Sequence, residues 1–442
     1  MMIPQDRRRF LGSTAAAFAG LFAASCAPAA RMTAGAGLAA GSGVVGPLQK
    51  DPAGVIDLPP GFSYRVVSRL GDTMSDGFTV PDNADGMGCF DLGNGEIALV
   101  RNHELVPQHD GGGVMGPAYD TVARSLIPLP GGTTTIVLDA ATLAVKRQYR
   151  SLAGTIRNCA GGITPWGSWL SCEENTHRAN VQINKDHGFV FEVPASSPGL
   201  VDPVPLKAMG RFNHEAACID PATGIAYLTE DRDDSLLYRF IPAHPGELAR
   251  GGTLQALVID GLADTRNWTT ADIAVGVPTG VRWITLDDVE APEDDLRHRG
   301  AAMGATLFAR GEGIWMGEGE MYFCCTSGGA AKEGQIFRLK PALHGADMLE
   351  LFYESDDIAE YSFGDNLTVA PNGHLIVCED QYTEVVDNHL RGITPQGAAY
   401  DFGRLTMQTE LAGACFSPDG RTLFVNAYSP TMTLAITGPW PA

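Results

Sequence analysis

Positive charge is what this sequence has least of. Lysine and arginine together number 31 against 52 acidic residues, a formal net charge of −21 over 442 residues. With no basic surplus to neutralise phosphates, a nucleic-acid partner is not expected. Long apolar runs are also scarce. None after Ala24 reaches 18 residues, so no bilayer span follows the N-terminal segment. There is no P-loop and no Gly-x-Ser-x-Gly elbow, which leaves a serine hydrolase without support. Histidines do not cluster, so a site built on several imidazoles is not indicated.

What is present is glycine, 53 residues of it, with 44% apolar and 8% aromatic residues. That composition suits many short strands and tight turns. The acidic surplus can be a solvated surface or a store of hard oxygen ligands for Ca²⁺. Such a surface repels a phosphate ester unless bound cations invert the local field.

The N-terminus reads as a targeting segment. Arg7-Arg8-Arg9-Phe10-Leu11 fits a twin-arginine export signal, and the apolar run Gly12 to Ala24 is too short to span a bilayer. Cleavage is expected after Ala29, or lipid anchoring at Cys26, where Ala23 replaces the usual leucine. The expected division is a signal at 1–29, a flexible linker at 30–50 and a single domain at 51–442. The protein is then periplasmic or extracellular, meets the twin-arginine translocon as a partner during export, and is a monomer. Cys89, Cys172, Cys218, Cys324, Cys325, Cys378 and Cys415 lie in apolar, strand-like text and read as packed thiols.

Six segments share one pattern, a glycine-containing turn followed by a β-rich run of about five residues. The turns lie at Gly93-Asn94-Gly95, Trp166-Gly167, Thr223-Gly224, Gly317-Glu318-Gly319, Asn372-Gly373 and Asp419-Gly420. Their spacing favours an all-β fold, a six-bladed β-propeller with loop and short helical insertions; a β-sandwich is the alternative. Tyr64-Arg65-Val66-Val67 and Leu434-Ala435-Ile436 are expected to share the closing blade. Upstream of each turn, at one matched offset, stand Asp85, Cys159, Glu215, Glu312 and Asp365, with Ala412 in the sixth unit. A propeller gathers equivalent positions around its axis, and five anionic groups gathered there need cations. Carboxylates suggest Ca²⁺, and one thiolate among them suggests a transition metal as well.

More acids end the runs: Glu104, Glu173 and Glu174, Glu230 and Asp231, and Glu379 and Asp380. Neighbours on a strand point to opposite faces, so one of each pair is expected to face the channel and the other the surface. His103 and His214, each in an Asn-His-Glu triplet, read as packing or supporting groups rather than ligands. Arg310, two residues before Glu312, is a salt-bridge partner or a clamp for an oxyanion such as phosphate.

Taken in order, Leu58-Pro59-Pro60-Gly61-Phe62, Arg101-Asn102-His103-Glu104, Asn158-Cys159-Ala160-Gly161-Gly162, Ser171-Cys172-Glu173-Glu174-Asn175, Asn213-His214-Glu215-Ala216, Arg310-Gly311-Glu312-Gly313, Asp365-Asn366-Leu367 and Cys378-Glu379-Asp380 resemble the PhoX-type alkaline phosphatases. The resemblance implies a six-bladed propeller carrying two Fe³⁺ and about three Ca²⁺ in its central channel, acting on a small-molecule phosphoester. It implies iron ligation by Cys159 and Glu215, a further ligand at Glu173 or Glu174 with Glu174 preferred, phosphate binding by Arg310, calcium ligation by Glu312, and a last ligand at Asp365, Glu379 or Asp380. Asp85 and Glu104 join the candidate metal ligands from the repeat alone. Arg310, Glu215 and Cys159 are the candidate catalytic residues. A calcium-dependent propeller lactonase and a non-catalytic calcium-binding propeller are the other readings.

Overall fold

In the computed structural model, residues 44–381 and 383–440 are described. The twin-arginine segment and Cys26 lie outside the described residues. The part of the linker that is described already belongs to the fold: Gln49 bridges to Leu58, and Val45 packs against the apolar core. Among the described residues no helix is long and apolar enough to cross a membrane. Among the described residues helix is confined to Leu296–Ala302 and two short 3-10 turns, Lys207–Met209 and Leu248–Arg250.

Each of the six repeated runs is the second strand of a hairpin. The first strands are Ala84–Gly93, Asn158–Ile163, His214–Ile219, Gly311–Met316, Gly364–Val369 and Leu411–Phe416. Each packs beside the next, and Leu411–Phe416 packs back against Ala84–Gly93, so the six close into a ring. Sheets radiating from a closed ring of inner strands make a β-propeller. Apolar side chains fill the spaces between sheets, for example Leu170, Val190, Ala217 and Leu228 in one cluster and Phe308, Phe323 and Phe337 in another. Burial of each such side chain contributes about 1.5–3 kcal/mol.

Hydrogen bonding divides the ring less evenly than six equal repeats suggest. Among the described residues there are five sheets, of four, three, nine, five and four strands. The nine-stranded sheet holds two of the hairpins because Thr279–Thr285 pairs with Gly252–Val258 on one side and with Asp347–Glu354 on the other. The chain ends meet as the sequence suggests. Ser63–Arg69 pairs with Met432–Thr437, with Tyr64 opposite Ile436 and Val66 opposite Leu434. The closing sheet thus joins the two ends of the chain without a covalent link.

Two features recur in all six hairpins. Near its start each inner strand carries a one-residue bulge, three residues spanning two of the partner: Ala84 to Met87, Asn158 to Gly161, His214 to Ala217, Gly311 to Ile314, Gly364 to Leu367 and Ala412 to Cys415. The residue just past the second strand donates its N–H to the residue just before the inner strand. These bonds run from Glu104 to Asn83, Glu174 to Arg157, Asp231 to Asn213, Thr326 to Arg310, Asp380 to Phe363 and Tyr428 to Glu410, at 2.9–3.3 Å. Bulges bend a strand and re-aim its side chains. In five units the bulge falls at one point, on the second residue of the inner strand; in the sixth it begins one residue later, after Ala412.

Candidate metal centre

That second residue is Asp85, Cys159, Glu215, Glu312, Asp365 or Ala412, the same series picked out by the sequence offset. Small residues beside it let the strands come close. A Cβ on Gly86 would lie 2.5 Å from Ala160 Cα, and one on Gly162 only 1.8 Å from Ala217 O. Neither site tolerates a side chain without displacing the neighbouring strand. Cross-strand side chains then fix the ligand-bearing backbone. Asn102 donates to Cys159 O and Ala160 O at 3.0 and 2.7 Å, Asn426 donates to Asp85 O at 2.7 Å, and Thr229 donates to Glu312 O at 2.5 Å. The matching positions in the other three hairpins are Cys172, Cys324 and Cys378, all fully buried. Below this layer the axis is nearly closed, with a cavity of about 20 Å³ lined by Gly86, Ala160, Ala216, Gly313, Asn366 and Gly413. The acids therefore occupy one mouth of the ring rather than an open channel.

The side chains form a row of three overlapping groups, within each of which the ligand-type atoms lie within 4.8 Å of one another: Asp85–Glu104–Cys159, Cys159–Glu174–Glu215 and Glu215–Glu312–Asp365. Cys159 and Glu215 each belong to two groups and link the row. Cys159 Sγ is 3.1 Å from Glu215 Oε1 and 3.4 Å from Asp85 Oδ2. All are buried except Asp365, which is half-buried. Asp85 Oδ1 and Glu215 Oε2 are buried without a hydrogen-bond partner. Leaving such an atom unpaired costs about 1–3 kcal/mol, more when it is charged. Multivalent cations would satisfy both atoms, so the donor set fits oxygen-preferring cations together with one thiolate-binding metal.

Electrostatics point the same way. Burial, then Glu104 and Asp365, pushes Asp85 well above the ordinary carboxylate range. Burial, Asp365 and Asp85 do the same to Glu215, and burial, Asp231 and Asp365 to Glu312. Asp365 is raised to about 7, by burial first and then by Asp380. Burial, with Asp85 and Glu215 next, also raises the Cys159 thiol. Without cations these acids hold protons more tightly than ordinary carboxylates, and a bound metal would displace them.

Two arginines sit on the row. Arg310 donates from Nε to Asp231 Oδ1 at 2.7 Å and from its terminal nitrogen to Glu312 Oε1 at 2.7 Å. Arg157 donates from Nε to Glu104 Oε1 at 2.8 Å and from a terminal nitrogen to Glu174 Oε2 at 2.6 Å.

The family profile for alkaline phosphatase PhoX matches residues 44–140 and 132–431. The chain belongs to the PhoX alkaline phosphatase family. No curated protein matches the sequence. Among solved structures it is similar to a gluconolactonase from Xanthomonas campestris at 13% identity and TM-score 0.42, covering 89% of this chain and 98% of that one. It is similar to a luciferin-regenerating enzyme at 9% and 0.45, covering 86% and 96%, and to the WD40 β-propeller domain of Doa1 at 10% and 0.40, covering 84% and 97%.

Within this PhoX-family chain, not every candidate acid reaches the row. Glu173 is fully buried elsewhere, accepting from the backbone of Ile156, Gly188 and Phe189 and bonding His187 at 2.6 Å. Glu379 accepts from the backbone of Ser362 and His389 and from Arg391 Nε at 2.7 Å. Glu230 accepts from Tyr238. One acid of each pair was expected at the channel and the other at the surface, with Glu173 and Glu379 among the candidate ligands; instead these three pin neighbouring loops in the interior, and it is the following residue, Glu174, Asp231 or Asp380, that lies at the mouth. Asp380 is hydrogen-bonded to Glu410, whose pKa burial and Asp380 raise.

The two Asn-His-Glu triplets are not equivalent. The first ends a second strand and the other begins an inner strand. His103 bonds Asp82 O and Thr134, and His214 bonds Gly210 O and stacks on Phe212, so both are packing groups. Sequence reasoning left open which of Glu230 and Asp231 would face the site, and passed over Arg157 and Glu410 as members of it. The usable signal was their offset from the inner strands, at which Arg157 matches Arg310.

Proposed function

We propose that this PhoX-family protein is an exported, metal-dependent phosphomonoesterase built on six blades, the nine-stranded sheet being two blades bridged by Thr279–Thr285. The reading rests above all on the three overlapping donor groups that share Cys159 and Glu215, with Arg310 beside them. Asp85, Glu104, Cys159, Glu174, Glu215, Glu312 and Asp365 would hold the cations, with iron at Cys159 and Glu215 and calcium at Glu312 among them. Bound cations cancel the charge of the ester and polarise its phosphoryl oxygens.

The protein's own groups do the rest. Asp231 holds Arg310 by two nitrogens and orients it, so that a guanidinium fork meets the equatorial oxygens of the transferring phosphoryl group. Cys159 would serve as an iron ligand rather than as the attacking group, its sulfur being buried between Asp85 and Glu215. The test pairs elemental analysis of protein folded before export with a p-nitrophenyl phosphate assay, with and without calcium chelation. Iron, calcium and chelator-sensitive turnover are expected. A calcium-only protein without phosphatase turnover would overturn the reading in favour of a lactonase-type site, which has no use for Cys159.

A further inference from the structure

Arg157 repeats Arg310. Each is the residue immediately before an inner strand, and each has a left-handed backbone, with φ of 50° and 52°. The N–H of Arg157 donates to Leu105 O and that of Arg310 to Arg232 O; both acceptors come one residue after the acid that ends the preceding hairpin. Each side chain then reaches back to that acid, Glu104 for Arg157 and Asp231 for Arg310. Each guanidinium also grips a second acid of the row, Glu174 or Glu312. Asn83 and Phe363, which also precede inner strands, share this left-handed backbone, with φ of 56° and 48°, so it belongs to the repeat; what sets Arg157 and Arg310 apart is the guanidinium that reaches the acids. The two arginines therefore stand at opposite ends of the row, Arg157 on the Asp85–Glu104–Cys159 group and Arg310 on the Glu215–Glu312–Asp365 group.

We propose that Arg157 is a second anion-binding arm of the site, taking oxygens of the phosphoryl group, or of inorganic phosphate, from the side opposite Arg310. The inference rests on the phosphatase reading above. Glu104 and Glu174 are themselves candidate cation ligands, so a cation and the Arg157 guanidinium compete for the same oxygens. A cation that took those oxygens would draw them from the Nε and terminal N–H groups of Arg157, and an incoming oxyanion would be the replacement acceptor. The Arg157 side chain lies within an acidic protein that otherwise repels phosphate, where a fixed fork adds both charge and geometry. A bound oxyanion gripped by two forks has its equatorial oxygens fixed from both sides.

The experiment compares wild type with Arg157→Ala, Arg157→Lys and Arg310→Ala. It measures metal content, phosphate affinity by calorimetry on metal-loaded protein, and kcat and KM for p-nitrophenyl phosphate. Arg157→Ala is expected to keep its metals and to bind phosphate about tenfold to a hundredfold more weakly, the worth of one charge-assisted pair. KM should rise, and Arg157→Lys should recover part of the affinity because it restores charge without the fork. If Arg157→Ala loses metal, Arg157→Lys decides: full metal with weakened phosphate binding supports the arm. Full metal with wild-type phosphate affinity in either variant overturns it and leaves Arg157 as charge balance for Glu104 and Glu174. If wild type itself neither binds phosphate nor turns over the ester while Arg310→Ala changes nothing, the phosphatase reading fails and the arm fails with it.

Discussion

Cys159 Sγ lies 3.1 Å from Glu215 Oε1, although the two residues belong to different sheets and are 56 positions apart in the chain. They meet because each is the second residue of an inner strand, beside the same bulge. Like Asp85, Glu215 has a buried oxygen without a hydrogen-bond partner, and among the described residues no arginine bonds it as Arg310 bonds Glu312. Glu215→Gln should therefore split two properties. Removing its charge relieves repulsion from Asp365 and Asp85, so the metal-stripped variant should melt above stripped wild type. Metal content and phosphatase rate should fall, the latter at least tenfold. Calorimetry and elemental analysis on the same preparations check both halves. A stripped variant that melts below wild type would count against repulsion in this row.

Glu173 and Glu174 are adjacent, and their roles separate cleanly. All the bonds of Glu173 hold loop backbone and His187, and His187 is itself raised to about 9 by Glu173 and Asp120 against the opposing effect of burial. Glu173→Gln should lower stability by about 3–5 kcal/mol, as for breaking a buried charged pair, while metal per folded molecule stays at the wild-type level. Glu174→Gln should do the reverse, keeping stability and lowering metal content. Urea titration beside elemental analysis distinguishes the two. Equal metal loss in both variants would refute the assignment.

Much of this was legible in the sequence because the repeat is real at the level of single positions. The offset that singled out Asp85, Cys159, Glu215, Glu312, Asp365 and Ala412 is the register of the inner strand, and the pairing of Tyr64 with Ile436 follows from the two orphan runs at the chain ends. Side-chain direction at strand ends was harder to read. Simple alternation places one acid of each pair outside. In fact Glu173, Glu230 and Glu379 face apolar interior and polar loop backbone, which a pattern of apolar and polar letters cannot encode. Division into sheets was hidden as well. The bridging strand Thr279–Thr285 joins two hairpins through backbone hydrogen bonds that are blind to side-chain identity. Arg157 escaped notice because its meaning lies in its equivalence to Arg310, visible only when both are placed against their inner strands.

Asn102 is the support most exposed to a single substitution. Its amide nitrogen donates to two carbonyls of the Cys159 strand, and its oxygen accepts from Trp169 Nε1 and Ser171 Oγ, each at 2.9 Å. Asn102→Leu keeps the volume and removes one donor from two carbonyls and the acceptor of the Trp169 indole N–H and of the Ser171 O–H, whose oxygen still accepts from Asn158. A loss of about 3 kcal/mol or more is expected, together with lower iron content because the Cys159 backbone is no longer fixed. Asn102→Asp, which can accept but not donate, should recover the Trp169 and Ser171 bonds only. Chemical denaturation and iron analysis read these effects, and an Asn102→Leu protein with full iron would show that Cys159 holds its place without this bond.

The acid row also sets the pH dependence of the metal-free protein, with a sign opposite to ordinary acid denaturation. Asp365 has a folded pKa of about 7 against an unfolded value of about 3.9. Below about pH 4 it is protonated in both states and costs nothing. As pH rises the unfolded chain releases the proton while the folded one keeps it, so stability falls until pH passes about 7. Asp85, Glu215 and Glu312 are displaced in the same direction, which adds to the loss and carries it further up in pH. Bound cations remove this slope by stabilising the ionised acids, and the loaded protein should instead lose metal and stability as pH falls. Melting temperature measured across this range should therefore decrease with pH after chelation and increase with pH when the metals are present. Parallel curves for the two forms would mean that the row of Asp85, Cys159, Glu215, Glu312 and Asp365 binds no cation.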